Sequence, residues 1–437
     1  MTRREPVLRG TPSVRRDGEL AARGYVEQEW FVEAVADAFD PDGGRIVRDV
    51  PYATRLVVRR PADGARSSGT ALLDPLHMIG EMPASWDAAA WVMASGHTWV
   101  GVTVHNSSFG ALYGFLGGLD ALRDRDPERY ATLHLASFDR PPPVRSYPGP
   151  GGTDSFALRW NMAMAHPQGH PIVVDVARAL RRAAPFADLG LERIYGCGVS
   201  QTSNFWRLFL DGGWHDRGRD QDGAPPFEAY VLMVSPAPAH RPVDAVLVNI
   251  LSEAEVVGTI VQTPAAAPAD CDNPRVRGIE LAGAPHTIGH AEVERPGSGH
   301  LHTSEPYFAF VTATLAGLDR WVRDGVPMPH VPPILRDPSR IDGVVRDEWG
   351  NAVGGLRAPW LEAPRAQYLP RCACGPTLGE VVPFDEGRMS TLYGDPAGFE
   401  RLWRRAVDRL VEDRLLLAED AEHLRHPGPP AGRHAVG

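Results

Sequence analysis

The sequence predicts an α/β fold in which a mostly parallel sheet is covered by helices on both faces. Short apolar runs recur between turn residues, and several are continuous rather than alternating, which is typical of strands buried on both faces. Helical patterns separate these runs, and the alternation of strand and helix favours parallel pairing. The 45 glycines and 41 prolines indicate many loops rather than a helical bundle.

The individual elements follow from these patterns. The predicted strands cover residues 54–59, 70–73, 98–104, 193–199, 229–234, 245–251 and 277–281, and the predicted helices cover residues 172–184, 201–210 and 307–323. The proline-rich stretch 140–152 predicts a surface insertion or lid, and 328–338 reads as a linker.

These boundaries predict a domain organisation. We expect an N-terminal segment over 1–45, a core over 46–327 with an insertion around 136–170, a C-terminal extension over 328–425 packing on the core, and a disordered tail over 426–437. The extension ends in a predicted helical pair, 398–412 and 418–424.

Composition excludes several classes of protein. The net charge is −10 and no basic patch dominates, which argues against a nucleic-acid partner. No apolar run is long enough for a transmembrane helix, and the first 24 residues lack the apolar core of a secretory signal. Four cysteines are too few for a disulfide scaffold. We therefore expect a soluble cytoplasmic protein with no membrane partner; the sequence fixes no oligomeric state.

The segment around Ser200 is the most informative in the chain. A β-branched and aromatic run leads into Gly198-Val199-Ser200, and an amphipathic helix follows directly. This layout predicts a nucleophile elbow, in which the serine lies on a sharp turn whose tight packing leaves no room for a Cβ at position 198, so that glycine is needed there. A serine that merely caps the helix is the competing interpretation, because Thr202 stands where the full motif has a second glycine.

A serine nucleophile needs a base and an orienting carboxylate, and both follow Ser200 in the required order. Glu253 and Glu255 come just after the strand 245–251, and His286 follows the strand 277–281 within a Gly-Ala-Pro turn. Because parallel strands end at the same edge of a sheet, these groups are expected to converge. Glu255 has the more usual spacing for the acid, and Glu253 remains an alternative.

Other histidines compete for a role. His290, His300 and His302 lie close after His286 and invite a metal-site interpretation. No H-E-x-x-H pattern accompanies them, so a polar loop is the better interpretation, and neither a metal nor a cofactor is predicted.

The oxyanion hole is predicted from the elbow and from an early loop. The backbone N–H of Gln201 follows the nucleophile, and a second donor is expected from Leu76 or His77 after the strand 70–73. The His77 ring has two interpretations, as part of the pocket wall or as a buried structural histidine.

On these residues the chain resembles the large bacterial alpha/beta hydrolase domain family that has a G-V-S-Q elbow and a long C-terminal extension. Matching segments are 51–61, 69–70, 96–102, 126–130, 198–201, 252–256, 280–286 and 347–357. The resemblance implies a hydrolase fold and a catalytic apparatus rather than a particular reaction. Two departures are His77, where the family usually has asparagine, and Thr202, where it has serine or glycine and which adds bulk near the nucleophile.

The predicted function is a serine hydrolase that cleaves a small-molecule carboxylic ester or lactone through an acyl-enzyme on Ser200. An acyltransferase or cyclase using the same triad in small-molecule biosynthesis is the first alternative. A catalytically inactive binding protein is the second.

Overall fold

The computed structural model describes residues 6–15, 18–40, 43–77, 81–106, 117–136, 166–238, 242, 244–258, 274–288, 307–372 and 377–427. The chain divides into two compact units, the first comprising Met1–Leu232 with Ala237–Ala245 and the second comprising Met233–Pro236 with Val246–Gly437. The predicted insertion at 140–152 and the last ten residues of the predicted tail lie outside the described residues.

The first unit is built on a long sheet. Its described strands are β1 (Val7–Arg15), β2 (Tyr25–Phe39), β3 (Arg45–Pro61), β4 (Thr70–Pro75), β5 (Thr98–Val102), β6 (Arg193–Val199) and β7 (Ala229–Met233, whose last residue belongs to the second unit). Their hydrogen-bonded order is β1-β2-β3-β5-β4-β6-β7. Strand β4 pairs in parallel with both β5 and β6, whereas β1, β2 and β3 form an antiparallel addition.

Helices connect these strands. They are α1 (Gly18–Ala22), α2 (Ala89–Ala94), α3 (Gly118–Arg125), α4 (Gly169–Arg182), α5 (Gln201–Asp211) and α6 (Trp214–Arg217), with short 3-10 turns at Gly64–Arg66, Trp86–Ala88 and Ala184–Leu189. Helix α4 buries the apolar side chains of Ile172, Val176 and Leu180, which recur every four residues along one face.

The two N-terminal strands correct the sequence analysis, which predicted no strand before residue 54. Strand β2 carries acidic residues that weaken its sequence signal for a strand. In the structure these residues pair across the sheet with arginines: Glu27 lies 2.8 Å from Arg59 and Glu33 lies 2.9 Å from Arg9. The strand is therefore stabilised by cross-strand pairs that no single segment of sequence reveals.

The second unit contains β8 (Val246–Ser252) and β9 (Val276–Leu281), which pair in parallel. The backbone N–H of Val234, in the segment 233–236, donates to the carbonyl of Ile250 at 2.7 Å. The remaining elements are α7 (Glu253–Val256), α8 (Phe308–Asp324), α9 (Pro359–Glu362), β10 (Ala366–Leu369), β11 (Glu380–Pro383), α10 (Glu386–Tyr393), α11 (Pro396–Glu412) and α12 (Ala418–Leu424).

The chain after residue 327 belongs to the same unit as β8 and β9. The N–H of Leu356 donates to the carbonyl of Glu280 at 2.7 Å, and the N–H of Ala282 donates to the carbonyl of Leu356 at 3.1 Å. The C-terminal extension thus adds backbone hydrogen bonds at the carboxyl end of β9, directly before the loop that carries His286.

The predicted α/β class, a mostly parallel sheet flanked by helices, is confirmed. Each of the seven predicted strands coincides with one of β3 to β9, and the three predicted core helices coincide with α4, α5 and α8. Within the described ranges, no helix has the length and apolar character needed to cross a membrane.

Candidate active site

Ser200 occupies a sharp turn between β6 and α5. Strand β6 ends at Val199, helix α5 begins at Gln201, and Ser200 itself has φ +52° and ψ −112°. A positive φ is uncommon for a residue with a side chain, and such strain concentrates at functional sites. This is the backbone geometry expected for a serine at a nucleophile elbow.

Gly198 makes the turn possible. A Cβ at this position would lie 2.5 Å from the carbonyl carbon and oxygen of Thr202 and 2.6 Å from the backbone nitrogen of Ser203. These neighbours are backbone atoms of α5, so they cannot move aside without displacing the helix. The structure therefore contains the close approach for which the sequence requires glycine.

Thr202 closes the turn instead of merely adding bulk near Ser200. Its hydroxyl accepts a hydrogen bond from the N–H of Val199 at 2.9 Å and donates to the carbonyl of Val199 at 3.0 Å. Both partners belong to the residue that precedes Ser200. The departure from the family pattern at this position therefore supplies two hydrogen bonds that hold the strained turn.

The competing interpretation of Ser200 was that its hydroxyl caps the helix. Although Ser200 occupies the N-cap position of α5, its side chain makes no capping hydrogen bond to the helix. Gln201, the predicted oxyanion donor, is buried as the first residue of α5. The amino end of this helix places the positive end of its dipole beside the serine.

Glu255 contacts His286. One carboxylate oxygen lies 2.6 Å from the Nδ1 atom of the imidazole, and the other accepts hydrogen bonds from the N–H of Ser252 at 3.0 Å and from its hydroxyl at 2.5 Å. Ser252 and Glu255 form a capping box at the start of α7. The carboxylate is buried and fully engaged, so its orientation toward the imidazole is fixed.

Glu253, the alternative acid, points to different partners. One of its oxygens accepts the N–H of Gly283 at 2.7 Å, and the other lies 2.5 Å from Nη1 of Arg346. Although these two atoms are close, the geometry of their contact is not that of a hydrogen bond, so the contact is an ion pair. Burial raises the pKa of the Glu253 carboxyl, and the charge of Arg346 opposes that rise. The structure thus brings Glu255, and not Glu253, against the histidine.

His286 lies in the loop after β9, with 13% of its side chain exposed. The neighbouring Thr287 donates its N–H to the carbonyl of Thr377 at 3.0 Å, which ties the loop to the C-terminal extension. Because Nδ1 faces the carboxylate, Nε2 is the nitrogen suited to accept a proton from a nucleophile.

The loop after β4 departs from the oxyanion prediction. The N–H of Leu76 donates to the carbonyl of Val102 at 2.8 Å, and the N–H of His77 donates to the carbonyl of Met82 at 3.2 Å. Both groups are thus engaged by backbone carbonyls, so neither Leu76 nor His77 presents the predicted second oxyanion donor in this structure. The His77 side chain is buried, as its structural interpretation expects.

His105 is a buried residue that the sequence analysis did not single out. It follows β5, and neither of its ring nitrogens has a hydrogen-bond partner among the residues that the structure describes. Burial, reinforced by nearby His77 and His166, lowers its pKa to about 3, so the ring is neutral at physiological pH. A single histidine after an apolar strand carries no motif that distinguishes it.

The histidines considered for a metal, His290, His300 and His302, lie outside the described residues. In the part of the chain that the structure describes, no three or more His, Cys, Asp or Glu side chains are grouped so as to hold a metal ion. Ser200 belongs to the first unit, and Glu255 and His286 belong to the second.

The chain is similar in sequence to one family of known proteins. The model of a family described as alpha/beta hydrolase domain matches residues 2–426. A search of curated proteins found no match.

Three solved structures show distant likenesses. A cold-adapted esterase from an Arctic intertidal metagenomic library is 12% identical, covering 56% of this chain and 77% of its own, with a TM-score of 0.28. A lidless serine hydrolase from Xanthomonas campestris is 11% identical, covering 57% of this chain and 84% of its own, with a TM-score of 0.24. A glucuronoyl esterase from Solibacter usitatus is 13% identical over 54% of each chain, with a TM-score of 0.25. TM-scores this low support no inference about this chain.

Proposed function

Because the chain belongs to the alpha/beta hydrolase domain family, we propose that it is a serine hydrolase that cleaves a carboxylic ester or lactone through an acyl-enzyme on Ser200. The observation that carries the proposal is the part-buried contact of 2.6 Å between Glu255 and Nδ1 of His286. A carboxylate in this position fixes the tautomer of a histidine base and stabilises the imidazolium that forms. The strained turn at Ser200 supports the choice of nucleophile.

The proposed reaction has two halves. In the first, Oγ of Ser200 attacks the carbonyl carbon of the substrate while Nε2 of His286 takes the hydroxyl proton. The imidazolium then gives this proton to the leaving oxygen as the carbon–oxygen bond breaks, and the acyl group stays on Ser200. In the second half, His286 deprotonates a water that attacks the acyl carbon, and the carboxylic acid leaves as Ser200 regains its proton.

The negative charge on the tetrahedral intermediate requires stabilisation. We assign this role to the backbone N–H of Gln201 and to the positive end of α5. A hydrogen-bond donor at this position typically contributes about 3 kcal/mol to the stability of the transition state. With the N–H groups of Leu76 and His77 engaged elsewhere, Gln201 is the one donor to which the proposal commits.

The proposal is tested with a fluorophosphonate, which reacts with an activated serine. We expect the wild-type protein to gain one phosphonyl group on Ser200 and Ser200→Ala to gain none. Ser203→Ala is the matched control, because Ser203 lies one turn along the same helix and its buried hydroxyl has no hydrogen-bond partner within the described part of the chain. This control should label as the wild type does. An unlabelled wild type, or a labelled Ser200→Ala, would refute the nucleophile assignment.

A further inference from the structure

Arg346, from the C-terminal extension, reaches into the loop that carries the acid. Its Nη1 atom lies 2.5 Å from Glu253, and its Nη2 atom lies 2.7 Å from Asp342. Glu253 is completely buried, and only 11% of the Arg346 side chain is exposed. The two side chains therefore form an ion pair inside the second unit.

Such a pair is a poor way to gain stability. Removing a carboxylate and a guanidinium from water costs several kcal/mol for each ion, and apolar side chains of similar volume often serve the fold as well or better. The pair does fix the positions of its two side chains, because a buried charge is tolerated only when its partner is well placed. The location of Glu253 in the fold indicates which groups are positioned in this way.

Glu253 joins two loops. It lies on α7, two residues before Glu255, and it accepts the N–H of Gly283, three residues before His286. The N–H of Ala254 makes a parallel contact, donating to the carbonyl of Ala284 at 3.2 Å. One short helix therefore holds the histidine loop by its backbone through Glu253 and the histidine ring through Glu255.

Arg346 is itself held by the fold of the extension. A bridge pairs it with Ala352, and the N–H of Val345 donates to the carbonyl of Leu335 at 2.8 Å. The same stretch reaches β9 through the hydrogen bond from Leu356 to Glu280. The backbone stretch that carries Arg346 is thus tied to the strand from which the histidine loop departs.

We propose that Arg346 and Glu253 are positioning residues that align His286 with Glu255, so that the C-terminal extension completes the acid–base pair. This inference rests on the proposed function for its catalytic meaning. Arg346 contacts neither Glu255 nor His286 directly. It fixes Glu253, and Glu253 fixes the backbone at Gly283. That backbone sets the direction of the imidazole of His286. A displacement of about 1 Å at a reacting group can lower a rate about 100-fold.

The test compares Arg346→Met and Glu253→Gln with Arg336→Met. Arg336 is the matched control, because it also comes from the extension and pairs with a buried carboxylate, Glu280 on β9, at 2.6 Å. Glu253→Gln removes the charge by which Arg346 holds this side chain, so the acceptor of the Gly283 N–H is no longer fixed in place; it guards against simple unfolding, because glutamine leaves no unpaired buried charge and Asp342 still partners Arg346. Three quantities are measured for each variant: kcat and KM on an activated ester, the free energy of unfolding, and the downfield proton resonance of the Nδ1–H shared with Glu255.

We expect Arg346→Met and Glu253→Gln to lower kcat by about tenfold to 100-fold with KM nearly unchanged. Both should weaken or abolish the downfield resonance, which His286→Gln identifies in the wild type. Arg336→Met should lose stability while keeping both kcat and the resonance. Retention of kcat and of the resonance in the first two variants, or an equal loss of both in Arg336→Met, would overturn the inference.

The resonance requires no substrate, so the two proposals fail separately. If the wild type neither reacts with a fluorophosphonate nor hydrolyses esters, the proposed function fails while the resonance still reports the alignment of His286. If hydrolysis is established and the resonance survives in Arg346→Met and Glu253→Gln, the positioning inference fails alone.

Discussion

The backbone at Ser200 is held in a conformation that a serine does not adopt without support. Gly198 allows α5 to approach the turn, and the hydroxyl of Thr202 bonds both backbone polar groups of Val199. Strain of this kind costs about 1–3 kcal/mol and persists only where the surroundings over-determine it. The hydroxyl at position 202 is one of the groups that do so here.

Asp74, at the end of β4, gives a prediction about pH. Its carboxylate is completely buried and accepts hydrogen bonds from the N–H of Ser85 at 2.8 Å and from Nε1 of Trp99 at 2.9 Å. Burial outweighs these bonds and raises the pKa of Asp74 from 3.8 to about 6. Between about pH 4 and pH 6, therefore, Asp74 keeps its proton in the folded protein but has lost it in the unfolded chain.

The stabilising contribution of Asp74 is full below about pH 4 and is lost as the pH rises through about 6. Asp74→Asn removes this titration. We expect the unfolding free energy of the wild type, minus that of the variant, to fall by about 2 kcal/mol from pH 4 to pH 7. Urea unfolding of both proteins across this range measures the difference. A difference that stays constant with pH would contradict the assignment.

The identity of the acid shows where sequence reasoning stopped at this scale. Two glutamates follow β8, both are buried, and the chain spacing alone leaves both open. A local signal was available in the S-x-x-E pattern, because a capping box directs the side chain of Glu255 back toward Ser252. The partner of Glu253 was beyond reach, since Arg346 lies far along the chain and carries no motif.

At the scale of elements, α7 combines a structural task with a proposed functional one. The hydroxyl of Ser252 accepts the N–H of Ala254 at 3.2 Å and donates to Glu255 at 2.5 Å. Removing it takes away a helix cap and one of the groups that orient the acid. The short helix is therefore expected to matter more for the rate than its length suggests.

Ser252→Ala should lower the free energy of unfolding by about 1 kcal/mol, the usual cost of losing a serine cap. It should also lower kcat, because Glu255 loses a hydrogen bond that fixes its orientation. Asp385→Ala is the matched control: Asp385 caps α10 by accepting the N–H of Arg388 at 2.7 Å. The control should lose similar stability at constant kcat. Equal kcat values for the two variants would count against a functional role of the cap.

The elements themselves differed in how far the sequence revealed them. Strands β4 to β9 are apolar and end in turn residues, so their hydrophobic pattern sufficed. Strand β2 carries Glu27, Glu29 and Glu33, which pair with arginines on β1 and β3, and Glu29 pairs with Arg129 as well. Its stability comes from pairs that exist only after the strands have met, so local propensity could not predict it.

At the scale of the whole molecule, the C-terminal extension is part of the second unit and not an appendage. It supplies Arg346 to Glu253, the carbonyl of Leu356 to Ala282, and the carbonyl of Thr377 to Thr287. The last two contacts lie in the segment around His286, and the first reaches that segment through the hydrogen bond from Gly283 to Glu253. The sequence predicted the extension from its proline-rich linker but not these contacts, because long-range pairing has no local signature.

The chain order of serine, acid and histidine was the part of the proposed site most accessible from sequence, because it follows from the topology of a parallel sheet. The loop predicted to complete the oxyanion hole was the least accessible. Which backbone N–H groups are engaged depends on how β4 and β5 end, as the hydrogen bond from Leu76 to Val102 illustrates. The identities of the side chains do not reveal which backbone N–H groups are engaged.

A crystal structure of the protein after reaction with a fluorophosphonate tests the central claim most directly. We predict a covalent bond from phosphorus to Oγ of Ser200, with Nε2 of His286 about 2.6–3.2 Å from Oγ or from a phosphonyl oxygen. A phosphonyl group on a different residue, or an imidazole of His286 turned away beyond the reach of a hydrogen bond, would contradict the account.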